Sequence, residues 1–175
     1  CSRFCYDLGP VFVDETLFQG APVSKQYPQE MYYRMLASHL LPETLDRILY
    51  MDPDTLVINP LRPLWETDLQ GCLFAAAAHS GKTELVNSVN RVRLGTDHDY
   101  YNSGVLLIDL AAGRKEIDPK TLFSYAACHG KELLLPDQDM LNVLFGGRTL
   151  PLDDVLWNYD ARDYHYYLLG SGGTY

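Results

Sequence analysis

An α/β fold is what this sequence predicts, and three observations lead to it. Ile48-Leu49-Tyr50-Met51 and Val105-Leu106-Leu107-Ile108 are short apolar runs of the kind that form buried parallel strands. Segments with helical spacing alternate with these runs, opened by a proline and closed by a proline or glycine. The first run is cut at its carboxyl end by Asp52-Pro53-Asp54, the place where ligands of open α/β sheets gather.

In chain order, Pro28 to Leu41 reads as a helix, with Met31 and Met35 on one face, Tyr32, Leu36 and Leu40 extending the stripe, and Pro42 as its stop. The Asp52 strand follows. Thr83 to Leu94 has weaker helical spacing in Leu85, Val86 and Val89 and ends at Gly95. The second strand is entered through Asn102-Ser103-Gly104, residues that favour a sharp backbone turn. Asp118-Pro119 opens a helix that Gly130 closes, and Pro136 to Phe145 forms another, with Leu141, Leu144 and Phe145 inward and Gly146-Gly147 beyond it. Arg148 to Leu152 is an edge-strand candidate, because Pro151 has no N–H for a central ladder.

The 175 residues, 47% hydrophobic, suffice for one domain, residues 1–175, that buries about 70% of its unfolded surface. Fourteen Lys and Arg against 23 Asp and Glu give a net charge of -9, which argues against nucleic acid or an anionic lipid surface as partner. An anionic small substrate would have to be received through a metal ion or a few placed arginines. Cys1, Cys5, Cys72 and Cys128 show no zinc or disulfide spacing. With no signal-peptide pattern and no apolar stretch of membrane-spanning length, the expected location is cytoplasmic. His39, His79, His98, His129 and His165 are scattered without ligand spacing and read as surface or core residues. The chain starts at Cys1 and stops after Gly170-Ser171-Gly172-Gly173-Thr174-Tyr175, so it is expected to be a fragment of a longer protein.

Asp52 and Asp54 carry the chemistry most directly. Aspartate is poor in strands, yet two carboxylates one residue apart on a turn can supply oxygens to Mn²⁺ or Mg²⁺ and leave coordination positions for substrate phosphates. Asp-Pro-Asp is equally good turn chemistry, with proline fixing φ and aspartate capping the backbone. From the residues alone both readings stand.

Taken together, Tyr32-Tyr33-Arg34, Leu49-Tyr50-Met51-Asp52-Pro53-Asp54, Leu61-Arg62-Pro63-Leu64-Trp65, Tyr101 to Ile108, Asp137-Gln138-Asp139-Met140-Leu141-Asn142 and Trp157-Asn158-Tyr159 resemble glycosyltransferase family 8. These are retaining nucleotide-sugar transferases of GT-A, Rossmann-like fold, including bacterial lipopolysaccharide galactosyl- and glucosyltransferases. The resemblance covers residues 27 to about 160. It implies a mixed sheet flanked by helices, with Asp52 and Asp54 as a DxD metal pair holding Mn²⁺ (or Mg²⁺) against the diphosphate of a UDP-sugar. Arg34, Pro53, Asn102, Ser103, Asp137 and Gln138 would then line the diphosphate and donor sugar. Asp137 would bind sugar hydroxyls and Gln138 would face the anomeric carbon, these two being the catalytic candidates. Read without the resemblance, Arg34 is a solvated helix residue, Asn102-Ser103 a turn and Asp137 an N-cap. Asp139 and Asn142 look structural.

The activity implied is transfer of a hexose from UDP-glucose or UDP-galactose to the hydroxyl of a glycan or lipopolysaccharide-type acceptor, with retention of configuration. Gln138 is a poor nucleophile, so same-face attack is favoured over double displacement. The family's opening nucleotide-binding strand and its C-terminal H-x-G-x-x-K-P-W segment are expected outside Cys1 and Tyr175. Membrane attachment would come only through such missing segments. Phe74 to His79 lacks the acidic residue that some members place for the acceptor. Two other readings remain open: a metal-dependent nucleotidyltransferase using the same carboxylates on a phosphate, and a truncated scaffold without activity.

Overall fold

The computed structural model describes residues 8–24, 28–78, 84–161 and 164, with 84–87 described by backbone alone. Among these residues the elements are α1 (Ala37–Leu40), β1 (Arg47–Met51), α2 (Arg62–Trp65), β2 (Phe74–Ala78), α3 (Glu84–Leu94), β3 (Tyr101–Asp109), α4 (Leu110–Glu116), α5 (Pro119–His129), α6 (Pro136–Phe145) and β4 (Thr149–Leu152). The four strands make one mixed sheet in the order β1-β3-β2-β4. β3 runs antiparallel to both neighbours, and β2 pairs with β4 in parallel.

β1 is therefore not the parallel strand its apolar run predicts. It is also half-buried along its length, at an edge of the sheet, and an apolar run says nothing of the direction of a partner. The difference decides where the site is built, because the antiparallel register pairs Met51 with Val105 and lays the start of β3 beside the carboxyl end of β1. β4 is the edge strand expected, with Pro151 opposite Ala76.

β2 has no signal in the sequence as a strand. Its Phe-Ala-Ala-Ala-Ala run favours helix by local propensity, and only its place between β3 and β4, with Phe74 to Ala77 all buried, makes it extended. Side-chain alternation along the sheet divides the core. Phe74, Leu106 and Ile108 face the main layer with Tyr32, Met35, Leu36, Leu122, Met140 and Leu141. Ala75 and Leu107 face a smaller cluster with Leu69, Leu150 and Leu152.

The stripe in residues 28–41 is buried as expected, but the segment is not one helix. It is a 3₁₀ turn at Gln29–Tyr32 followed, after a gap, by the single turn of α1. Consecutive residues have partners in different directions: the Tyr32 hydroxyl donates to the Pro22 carbonyl, Tyr33 packs on Phe18, and Arg34 reaches the end of β1. α3 forms where its spacing predicts and ends at Gly95, whose φ of 68° favours glycine. Of its predicted stripe Val89 is exposed, Leu85 and Val86 lie outside the described side chains, and Arg93 reaches a buried carboxylate. α5 is capped by the Asp118 carboxylate accepting from the Lys120 N–H. α4, unread in the sequence, is capped the same way by Asp109. Cys72 and Cys128 are free thiols, while Cys1, Cys5, His79 and His165 lie outside the described residues. No helix among the described residues is long and apolar enough to cross a membrane.

Candidate active site

Asp52 follows β1 directly, and its backbone N–H donates to the Gly104 carbonyl at 2.8 Å. The Thr55 N–H closes a turn onto the Asp52 carbonyl at 3.1 Å, so Asp52-Pro53-Asp54 is a proline turn as well as a pair of carboxylates. Asp54 is exposed. Asp52 is held from two sides. The Tyr50 hydroxyl donates to its Oδ1 at 2.6 Å, and Arg34 Nη2 lies 3.1 Å from the same oxygen. Tyr50 and Asp52 are two residues apart, which brings their side chains to one face of the strand. Burial, followed by this hydrogen bond to Asp52, pushes the Tyr50 phenol up to about 12.

Between Ala76↔Leu106 and Ala78↔Tyr101 the β2–β3 register slips, so that β3 carries extra residues and bulges at Asn102 to Val105. Asn102-Ser103-Gly104 is thus a bulge inside a strand, not the entry turn predicted. A bulge re-aims side chains. Here Ser103 Oγ accepts from Arg34 at 2.9 Å and its carbonyl accepts from the same guanidinium at 3.1 Å. A Cβ added at Gly104 would stand 3.0 Å from Asn102 Oδ1 and 3.2 Å from Asp52 Oδ2, so the close approach of those two side chains needs glycine. Asn102 Oδ1 accepts from the Gly104 N–H and from Asn158 Nδ2, each at 2.7 Å. Asn158 sits at φ 80°, a conformation asparagine tolerates better than most residues.

The first turn of α6 completes the cluster. Asp137 is not an N-cap, because Leu135 holds that position. Its carboxylate lies 3.1 Å from Arg34 Nη1 and accepts from Ser103 Oγ at 3.4 Å. Gln138 Oε1 accepts from the Ser103 N–H at 3.3 Å. Asp139 and Asn142 point away from this cluster into a buried network. Burial alone would raise the Asp139 carboxyl, but donors from Arg93, Tyr100 and the Leu134 N–H outweigh it and hold the group below its ordinary value.

Arg34 joins the pieces: its guanidinium bonds to Asp52, Ser103 and Asp137 and lies 5.0 Å from the Tyr50 ring centroid. It is not a solvated helix residue, its side chain being 16% exposed, and its Nε is buried without a partner among the described residues. A cleft of about 620 Å³ opens beside the cluster, lined by Asp52, Asp54, Asn102 and Gly104 together with the 55–59 loop and residues 155–161. Arg34, Ser103, Asp137 and Gln138 do not line it. Asp52 touches both the cleft and the cluster.

Arg34, Asp52, Asn102, Ser103, Asp137 and Gln138 are thus brought together from four separate segments, with Pro53 and Asp54 on the adjoining turn. Tyr50, Gly104 and Asn158 belong to the same constellation, although no role for them is read in the sequence. For Tyr50 a signal was present in its spacing of two from Asp52. Among the described residues no group of three His, Cys, Asp or Glu side chains could hold a metal ion. As a donor set, two carboxylates of which one is exposed at a cleft fit a hard cation that takes further oxygens from a ligand.

A mixed α/β sheet thus carries paired aspartates and an arginine at the end of one strand. Comparison with known proteins makes this specific. The Glycosyl transferase family 8 profile matches residues 12–168, and the chain belongs to that family. It is 30% identical over 135 residues to General stress protein A of Bacillus subtilis (strain 168), covering 75% of this chain and 46% of that protein. It is 32% identical over 136 residues to the lipopolysaccharide 1,2-glucosyltransferase of Escherichia coli (strain K12), covering 75% of this chain and 39% of that one. Among solved structures, the galactosyltransferase LgtC in complex with donor and acceptor sugar analogs superposes with a TM-score of 0.68 at 28% identity, over 83% of this chain and 52% of LgtC. The fold is that of the GT-A glycosyltransferases. The chain spans about half the length, or less, of these relatives.

Proposed function

We propose that the chain carries the donor site of a retaining hexosyltransferase that uses a UDP-sugar, UDP-glucose or UDP-galactose, and a carbohydrate hydroxyl as acceptor. The observation that carries this reading is the convergence of Arg34, Asp52, Ser103, Asp137 and Gln138 at one strand end in a family 8 chain. Mn²⁺ or Mg²⁺ held by Asp52 and Asp54 would supply positive charge to the diphosphate as it leaves.

The chain's own groups do the rest. Arg34 offers a planar fork of donors to the diphosphate or a sugar hydroxyl. Asp137 accepts from sugar hydroxyls, and Gln138, its oxygen tied to the Ser103 N–H, presents an amide near the anomeric carbon. Neither Gln138 nor the sequestered Asp139 offers a free carboxylate nucleophile. The reading is therefore same-face substitution: the C1–O bond to the phosphate breaks, the acceptor oxygen bonds to C1 on that face, and its proton passes to the departing phosphate oxygen. The products are a glycoside and UDP.

Product analysis tests this reading. Incubation with UDP-glucose or UDP-galactose, Mn²⁺ and a glycan acceptor should release UDP. Release of pyrophosphate from a nucleoside triphosphate and a sugar phosphate would replace this reading with nucleotidyl transfer. A trapped glycosyl-enzyme that is lost in Gln138→Ala would replace same-face attack with double displacement.

A further inference from the structure

Asp139 is 0% exposed, the most deeply buried carboxylate among the described residues, and it takes no part in the chemistry above. Its two oxygens are saturated. Arg93 of α3 forks onto them, Nη2 to Oδ1 at 2.7 Å and Nη1 to Oδ2 at 2.8 Å. The Tyr100 hydroxyl donates to Oδ1, and the Leu134 and Leu135 N–H groups donate to Oδ2 at 2.8 and 3.3 Å. One helical turn on, Asn142 Oδ1 accepts from the Tyr101 N–H, while its Nδ2 donates to the carbonyls of Tyr101 and Gln138. Gln138 is thus bracketed, its carbonyl held by Asn142 and its neighbour Asp139 held by Arg93. Tyr100 and Tyr101, gripped by the same two side chains, lead straight into the Asn102–Ser103 bulge.

We infer that Arg93 is a positioning residue for the donor-sugar turn: by forking onto Asp139 it orients the carboxylate to which Tyr100 donates just ahead of β3, and so holds the start of α6 where Gln138 meets the Ser103 N–H and Asp137 meets Arg34. The inference rests on the donor-site reading for its functional consequence, but its structural part stands alone. Among the described side chains of α3, Val89 and Val92 are exposed, Val92 at 86%. Among the described side chains of α3, the hydrogen bonds that reach beyond residue 99 are all made by Arg93, to Asp139 and the Glu132 carbonyl. A planar fork matches both oxygens of a carboxylate at once, which a lysine ammonium cannot do. Removing the cation outright would leave a buried, unpaired charge, so Arg93→Ala is a poor test and Arg93→Lys a better one.

The test has two arms on the 175-residue chain. Without any ligand, amide hydrogen exchange in Arg93→Lys should speed up about tenfold or more at Ser103, whose N–H Gln138 holds, while Leu106 to Ile108 in the centre of β3 stay as in the wild type. Unchanged exchange at Ser103 overturns the inference, and equal acceleration throughout β3 overturns it in favour of a merely structural role. With Mn²⁺ present, calorimetry should show UDP affinity in Arg93→Lys within about twofold of wild type and UDP-glucose or UDP-galactose affinity relative to UDP down about tenfold. A preserved ratio overturns the functional consequence. A wild type that binds neither ligand defeats the donor-site reading itself and leaves the exchange arm to decide on Arg93.

Discussion

Replacing Arg34 with methionine removes the one group that bonds Asp52, Ser103 and Asp137 together, and the structure fixes what should follow. The guanidinium lies 3.1 Å from each carboxylate, with Asp52 27% and Asp137 22% exposed. A hydrogen bond to a charged group contributes about 1.5–3 kcal/mol when well buried, and partial exposure screens these pairs toward the lower end. Two such pairs, less the packing that methionine keeps over Tyr50, put the loss at about 2–3 kcal/mol. Urea denaturation at pH 7 reads it directly as a lower midpoint at unchanged slope. The binding signature is more specific. Without Arg34 the two aspartates carry uncompensated negative charge, so Mn²⁺ alone should bind Arg34→Met at least as tightly as wild type. UDP in the presence of Mn²⁺ should bind about tenfold more weakly, equivalent to about 1.4 kcal/mol. If stability is unchanged, or if Mn²⁺ and UDP affinities fall together by the same factor, the role given to Arg34 is wrong.

Other outcomes follow from the same geometry. Tyr50→Phe should cost about 1 kcal/mol, one hydrogen bond to a half-buried carboxylate. Because the phenol is raised in the folded state to about 12, its stabilising contribution is complete below the unfolded value near 10 and is lost as pH rises through 12; base denaturation between those values should be shallower in Tyr50→Phe. The Asp139 carboxyl is lowered, so its contribution is present above about pH 4 and disappears as pH falls through its folded value. Asp139→Asn should therefore be less stable than wild type at neutral pH and approach it under acid. Gly104→Ala should weaken Mn²⁺-dependent UDP binding with little change in unfolding midpoint, since the atoms nearest its Cβ are the Asn102 and Asp52 side-chain oxygens and Asn158 Nδ2, all on side chains; unaltered UDP binding would show that this close approach does not matter.

What could be read from the sequence was what is local. Asp52 and Asp54 stand at a strand end because an apolar run stops there, and α5 and α6 begin where Asp-Pro and Leu-Pro place their first turns. Direction and pairing were not local. Ile48 to Met51 carries no mark of an antiparallel partner, and the Ala-rich β2 is extended only because β3 and β4 flank it. The same distinction holds at the site. Arg34, Asn102, Ser103, Asp137 and Gln138 are found through a family pattern, but the contacts among Arg34, Ser103, Asp137 and Gln138 join residues 34 or more positions apart, Arg34 and Asp137 being the farthest, and have no periodicity to betray them. Arg93 lies 46 positions from Asp139, and a charged residue on a helix carries no local mark of a buried partner so far along the chain. Asn102-Ser103-Gly104 has turn composition, and turn composition does not distinguish a loop from a three-residue bulge dictated by the β2–β3 register.

In the proposed function Asp52 and Asp54 form a metal-dependent donor site. Titration calorimetry of UDP into the 175-residue protein, with and without Mn²⁺, on the wild type and on Asp54→Asn, tests it most directly. Asp54 is exposed and its side chain is not needed for the turn, so the variant should fold with an unchanged melting temperature. UDP binding should require Mn²⁺ and be lost in Asp54→Asn. Binding that is indifferent to Mn²⁺, or that survives in the variant, would contradict it.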